Sequence, residues 1–274
     1  MEDRIIGQEN LKSSVLKIIG PKFPKFLILV GGKGSGKKSF AKMIGKRLSA
    51  TTIITETRVD DIREIIELSY KQKTPALYII PDADHISLSS KNALLKITEE
   101  PPNNSYFIMT LENLDNTLPT LKSRGAVFYM DPYTSEDILE YAKRQGYDLK
   151  GNEEIVKNIC RVPGEIETII QYDIGEFDKY LDNVVEYIGL VNGANAFKIA
   201  DKLKYKEEDE GYDILLFMKG LSYKFAKKMW DTLDLKYARA IQLISKYIRD
   251  LQVKSINKRW TIEMWILEIR GVLD

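Results

Sequence analysis

Phe26-Leu27-Ile28-Leu29-Val30-Gly31-Gly32-Lys33-Gly34-Ser35-Gly36-Lys37-Lys38-Ser39 decides the reading of this chain. Five consecutive apolar residues suit a strand buried on both faces. The glycines after them match G-x-x-x-x-G-K, a phosphate-binding P-loop, and residues 37–48 read as the helix it opens. Glycine lets successive backbone N–H groups turn inward round a phosphate, and the helix N-terminus adds a favourable dipole. The candidate phosphate contacts are Gly31, Gly34, Ser35, Gly36 and Lys37, followed by Lys38 and Ser39; Lys37 has the length to reach the β- and γ-phosphates. One position is at odds with the pattern. Its last residue should be Ser or Thr, whose hydroxyl holds Mg²⁺. Lys38 stands there, and an ammonium repels a metal ion. Ser39 comes one residue late, about 100° further round the helix.

Outward from this stretch, strands and helices alternate. Helical spacing of apolar residues predicts helices over 9–19, 59–72 and 89–100, the last stopped by Pro101-Pro102. Strands are predicted at Ala76–Ile80, 106–111 and 126–130. This alternation implies an α/β fold with a parallel sheet covered on both faces. After Asp131-Pro132 the strand signals end. Helices are predicted over 134–145, 152–161 and 164–172, then over 176–190, 194–203, 209–230, 235–253 and 258–272. The expected organisation is an α/β domain over 1–131, a small helical lid over 132–174 and an all-helical collar over 175–274.

Composition narrows the chemistry. Hydrophobic residues are 44% and charged residues 30%, enough apolar mass for a core. Lys plus Arg number 41 against 40 Asp plus Glu, which argues against a protein that coats nucleic acid with excess positive charge. The single cysteine, Cys160, excludes an intramolecular disulfide and a multi-cysteine zinc site. It lies among Ile155, Val156 and Ile159 and reads as a buried structural thiol. The single histidine, His85, argues against a Ser-His-Asp hydrolase and reads as a loop residue. The charged start, Met1-Glu2-Asp3-Arg4, is not a signal peptide, and the apolar runs are too short to span a bilayer. A soluble, cytoplasmic protein without membrane contact is expected. Lys224, Lys227 and Lys228 read as solvated helix surface, and Trp260 and Trp265 as collar packing or subunit contact.

The second strand ends in Pro81-Asp82-Ala83-Asp84. A buried strand ending in acidic residues is the usual partner of a P-loop, holding Mg²⁺ and activating water. Four further segments occur in order: Ile5-Ile6-Gly7-Gln8-Glu9, Arg58-Val59-Asp60-Asp61-Ile62-Arg63-Glu64, Asn92-Ala93-Leu94-Leu95-Lys96-Ile97-Thr98-Glu99-Glu100-Pro101-Pro102, and Leu118-Pro119-Thr120-Leu121-Lys122-Ser123-Arg124. Together with the P-loop, this series resembles the clamp-loader AAA+ proteins, and within them the delta-prime type of bacterial DNA polymerase III subunit. The specific motifs cover residues 5–125; the helical remainder is similar only in length and layout.

The resemblance implies a role for each motif. The family's acidic box is Asp-Glu-Ala-Asp; here Pro81 replaces the metal-linked aspartate and the shorter Asp82 the glutamate that polarises water. The family's Ser-Arg-Cys marks an arginine finger, matched by Ser123 and Arg124, with Gly125 departing at the third position. Such a finger acts in trans on the ATP of the next subunit. Residues 110–113 fall where the family has its sensor 1, and Ile5, Ile6 and Gly7 where it lines the adenine pocket. The lid arginine of active members falls on Glu165, expected to face phosphate with a like charge. The zinc module of many relatives is absent.

The implied function is that of a non-hydrolysing stator within the DNA polymerase III holoenzyme. Its expected partners are gamma/tau-type and delta-type subunits, the sliding clamp, and primer–template DNA through the assembled ring. ATP or ADP held in the degenerate loop would be bound without Mg²⁺. Two other readings stay open at this point: an ATP-hydrolysing gamma/tau-type motor, and an AAA+ assembly adaptor outside replication.

Overall fold

The computed structural model describes residues 5–20, 22–190, 197–206, 209–253 and 255–273. The N-terminal Met1-Glu2-Asp3-Arg4 and positions 194–196 of the helix expected over 194–203 lie outside the described residues. Contacts divide the chain into two compact units, Met1–Asp137 with Val162–Gly164, and Ile138–Arg161 with Glu165–Asp274.

In the first unit five parallel strands form one sheet in the order β2-β3-β4-β1-β5: β1 Phe26–Val30, β2 Thr51–Ile54, β3 Ala76–Ile80, β4 Ser105–Leu111 and β5 Ala126–Tyr129. Helix α1 Glu9–Ile18 precedes β1, and α2 Lys37–Arg47, α3 Val59–Tyr70, α4 Leu88–Glu99 and the short α5 Pro119–Lys122 connect the strands. Every residue of β1 and β3 is buried. Period-two alternation sends Phe26, Ile28 and Val30 to a core built with Ile62, Ile65, Leu94 and Ile97 of α3 and α4. Leu27 and Leu29 face the opposite layer, with Leu11 and Val15 of α1 and Phe40 and Ile44 of α2. Registers Val30↔Leu111, Ile80↔Met109 and Val30↔Tyr129 bring the C-terminal ends of β1, β3, β4 and β5 to one edge. In open parallel sheets that edge is where ligands bind.

The sequence reading has four strands here and misses β2. Thr51-Thr-Ile-Ile54 is four residues long and lies at the sheet's edge, with both end residues exposed. So short a run carries no measurable period.

The second unit is helical, with α6 Ser135–Gln145 crossing into it, then α7 Glu153–Ile159, α8 Pro163–Ile169, α9 Ile174–Tyr187, α10 Ile214–Thr232, α11 Leu235–Leu251 and α12 Lys258–Leu273. Phe177, Leu181, Phe217, Leu221, Phe225, Ile244 and Trp265 are buried. Gly220 of α10 lets Leu181 of α9 approach, since a Cβ there would meet Leu181 Cδ1 at 2.5 Å. Two expectations are corrected. The described part of 194–203 is a 3₁₀ turn, Phe197–Lys202, followed by β6 Leu203–Lys204, which pairs in parallel with β7 Tyr212–Asp213. Gly211 makes that return possible: its φ is +126° and a Cβ there would strike Lys202 O at 2.7 Å. The next helix accordingly starts at Ile214 rather than 209, capped by Asp213 Oδ1 accepting from Leu216 N–H at 2.9 Å.

Lys224 is not solvated surface. It is buried, and its Nζ lies 2.8 Å from both Asp178 and Asp182, one turn apart on α9. Burial alone lowers its pKa, but the two carboxylates outweigh it and hold it above the ordinary lysine range. Trp265 is fully buried whereas Trp260 is exposed. Cys160 is buried, and burial pushes its thiol pKa up to about 12. No helix among the described residues is long and apolar enough to cross a membrane.

Candidate functional site

The P-loop forms where β1 hands over to α2. Gly34 and Gly36 have φ of +77° and +84°, conformations that favour glycine. Gly31 is required for space, because a Cβ there would meet Met130 Cγ at 2.6 Å. Lys37 and several of the loop's carbonyls are engaged with the chain itself. Lys37 is buried, and its Nζ donates to Gly31 O at 2.6 Å and Gly32 O at 3.0 Å. Burial lowers its pKa, against the raising influence of Glu112, Asp82 and Asp84. Tyr133 donates its hydroxyl to Ser35 O at 2.8 Å. Gly164 N–H donates to Gly34 O at 3.0 Å, and the two glycines pack so closely that a Cβ on Gly164 would come within 2.7 Å of Gly34 Cα. Ser35 Oγ is buried without a hydrogen-bond partner. Ser39 is exposed.

Lys38 Nζ lies 3.3 Å from Asp82 Oδ2. The side chain at the Mg²⁺-hydroxyl position thus pairs with the acidic residue of the neighbouring strand end. Pro81, buried at the end of β3, offers no ligand atom in its side chain. Among the described residues no cluster of three His, Cys, Asp or Glu is arranged to hold a metal ion. These residues do not fit Mg²⁺: one ligand is a pyrrolidine ring, another an ammonium, and the remaining carboxylate already has a cation.

Asp82 takes the left-handed backbone, φ 48°, at the close of β3, and its N–H donates to the buried Thr110 Oγ1 at 3.0 Å. Asp84 accepts from the N–H groups of Glu112 at 2.6 Å and Asn113 at 3.0 Å and from Asn116 Nδ2 at 3.2 Å. Burial alone raises its pKa, but these donors win and hold the carboxyl below the ordinary range. Asp84 is therefore the anchor of the loop after β4. His85 is exposed in the 3₁₀ turn beside it.

At the N-terminal segment, Ile6 is buried and Ile5 packs against the core layer of Leu27 and Leu29. Ile5 O accepts from Lys12 Nζ at 2.8 Å. Gln8 exchanges two hydrogen bonds with the Asp131 backbone, and Asp131 Oδ2 accepts from Asn10 and Leu11 N–H, capping α1 from beyond β5.

Arg124 follows α5. Its Nη1 donates to Thr120 O at 2.7 Å and its Nη2 to Glu99 Oε1 at the end of α4. Ser123 Oγ donates to Thr120 O at 3.1 Å. Gly125 lies against β1, where a Cβ would meet Ile28 Cγ1 at 2.8 Å.

Residues 48–134 match the model of the family described as DNA polymerase III, delta subunit. The chain is 27% identical over 172 residues to DNA polymerase III subunit gamma of Buchnera aphidicola subsp. Schizaphis graminum, covering 51% of this chain and 47% of that protein. It is 23% identical over 292 residues to the replication factor C small subunit of Saccharolobus solfataricus, covering 98% of this chain and 83% of that one. This chain is related to the clamp-loader AAA+ proteins. The fold agrees: the RuvB Holliday junction branch migration motor of Thermotoga maritima superposes with a TM-score of 0.52 at 19% identity, over 83% of this chain and 77% of that one. The match spans about half the length of the Buchnera relative.

For a clamp-loader relative, two departures from the family's motifs acquire a local reason. Glu165, at the lid-arginine position, accepts Arg161 N–H at 2.6 Å and pairs with Lys219 inside the second unit. Its carboxylate is paired there with the Lys219 ammonium. Gly125 replaces cysteine where Ile28 already fills the space. Other contacts of this site were not read from sequence. Glu99 sits inside a quoted motif, but its partner lies 25 residues on. Tyr133 and Gly164 carry no local signal that points to the loop.

Proposed function

We propose that this chain is a delta-prime-like subunit of a sliding-clamp loader that does not hydrolyse ATP. It acts as the stator of the ring, with 132–174 as lid and 175–274 as collar. Arg124, flanked by Ser123, enters the ATP site of an adjacent gamma/tau-type subunit and stabilises charge on its γ-phosphate. A guanidinium suits that task because it is permanently charged and carries rigid, forked donors. Delta-type subunits, the sliding clamp and primer–template DNA are engaged through the assembled complex.

The observation that carries the reading is the Lys38–Asp82 ion pair beside Pro81. Together they supply no ligand set for the metal that ATP hydrolysis needs. ATP or ADP reaching Gly31, Gly34, Ser35, Gly36 and Lys37, with its base near Ile5 and Ile6, would be held by backbone N–H groups and ammonium alone, without Mg²⁺. The test is ATP turnover by the purified chain with Mg²⁺: the reading requires none above buffer, and Mg²⁺-dependent turnover abolished by Lys37→Ala would make the chain a motor.

A further inference from the structure

The contact between Glu99 and Arg124 joins the last residue of α4 to the residue two beyond the end of α5. A carboxylate at a helix C-terminus faces the negative end of the helix dipole, so Glu99 gains from a cation beside it. Arg124 is that cation. Its guanidinium has five N–H donors; one is directed to Glu99 and one to Thr120 O. Two anchors on opposite nitrogens fix the plane of the group, and donors remain for a third acceptor. The pair is partly open to solvent, with the Arg124 side chain 29% and the Glu99 side chain 52% exposed. Glu99 thus orients the guanidinium without sequestering it.

We propose that Glu99 is the positioning residue of the arginine finger: with Thr120 O it holds the Arg124 guanidinium in the plane from which its remaining donors meet the terminal phosphate of a nucleoside triphosphate bound by a neighbouring subunit. This rests on the proposed function. Glu99 does not touch the nucleotide; it acts through Arg124.

The experiment measures ATP turnover of the assembled clamp loader, with clamp and primed DNA, containing wild type, Arg124→Ala, Glu99→Ala, Glu99→Gln, Glu99→Asp or the double variant Glu99→Ala/Arg124→Ala. Misplacing a catalytic group by about 1 Å costs roughly a hundredfold. Glu99→Ala and the isosteric Glu99→Gln are therefore expected to lower kcat about ten- to a hundredfold with KM for ATP unchanged. Glu99→Asp should recover part of the loss, and Glu99→Ala should add nothing to Arg124→Ala. If Arg124→Ala is itself without effect, the proposed function fails and this inference with it. If Arg124→Ala abolishes stimulation while the Glu99 variants match or exceed wild type, the inference alone fails. A further loss on combining the two substitutions overturns it as well, because Glu99 would then act apart from Arg124.

Discussion

The ammonium of Lys38 lies 3.3 Å from the carboxylate of Asp82, so an ion pair joins the P-loop helix to the end of β3. Both side chains are about half exposed, and pairs of that kind contribute about 0–1 kcal/mol. Lys38→Ala should therefore shift stability by less than about 1 kcal/mol in chemical denaturation. Its effect should appear in metal chemistry instead. Wild type is expected to leave the Mn²⁺ resonance as it is with ATP alone, as should Lys38→Thr, because Pro81 still supplies no carboxylate. Lys38→Thr/Pro81→Asp restores both ligand types and should bind Mn²⁺. Bound Mn²⁺ in the wild type would refute this view of the site.

Gly34 and Gly164 meet backbone to backbone within the first unit. A Cβ on Gly164 comes within 2.7 Å of Gly34 Cα, and no flexible side chain is there to yield. Gly164→Ala should cost about 1–3 kcal/mol, the usual cost of overpacking. It should also remove the Gly164 N–H bond to Gly34 O. Amide hydrogen exchange at Gly164 reports this directly: wild type is protected and an Ala at 164 is not. Unchanged protection would place the contact elsewhere.

Asp84 ties the loop after β4 to the end of β3, and its folded pKa is depressed. A depressed carboxyl contributes stability that is complete above its unfolded value, near 3.9, and is lost as pH falls through the folded value. Wild type should therefore exceed Asp84→Asn in stability at pH 5–7, with the gap closing below about pH 4. Urea unfolding of both proteins from pH 2.5 to 7 measures this. A gap independent of pH would mean that the carboxylate charge has no part in the anchoring.

The elements legible in sequence were those whose own side chains announce them. Phe26–Val30 and Ala76–Ile80 are apolar throughout because both faces are covered, and the glycines of the loop are fixed by conformations only glycine favours. Thr51–Ile54 was not legible, since four residues at an edge show no pattern. The turn at Gly211 was missed because its cause is a contact with Lys202 O, nine residues earlier. Lys224 looked like a surface lysine because its two aspartates lie a helix away. At the site, residue types were readable and pairings were not. Lys38 and Asp82 were each recognisable as departures from their motifs, but nothing in either stretch says that the two departures face each other. Glu165 reads as a like charge facing phosphate, and nothing near it in sequence points to its pair with Lys219, 54 residues later. Partners so far apart in sequence are brought together only by packing.

The central claim is that this chain contributes Arg124 to a neighbour's ATP site and hydrolyses nothing itself. The most direct measurement is ATP turnover by a gamma/tau-type subunit, with clamp and primed DNA, in complexes holding wild type or Arg124→Ala. An arginine finger is worth roughly 10³–10⁵ in rate. The account predicts that wild type stimulates turnover, that Arg124→Ala assembles equally well, and that it loses most of the stimulation. Equal turnover with both would contradict it.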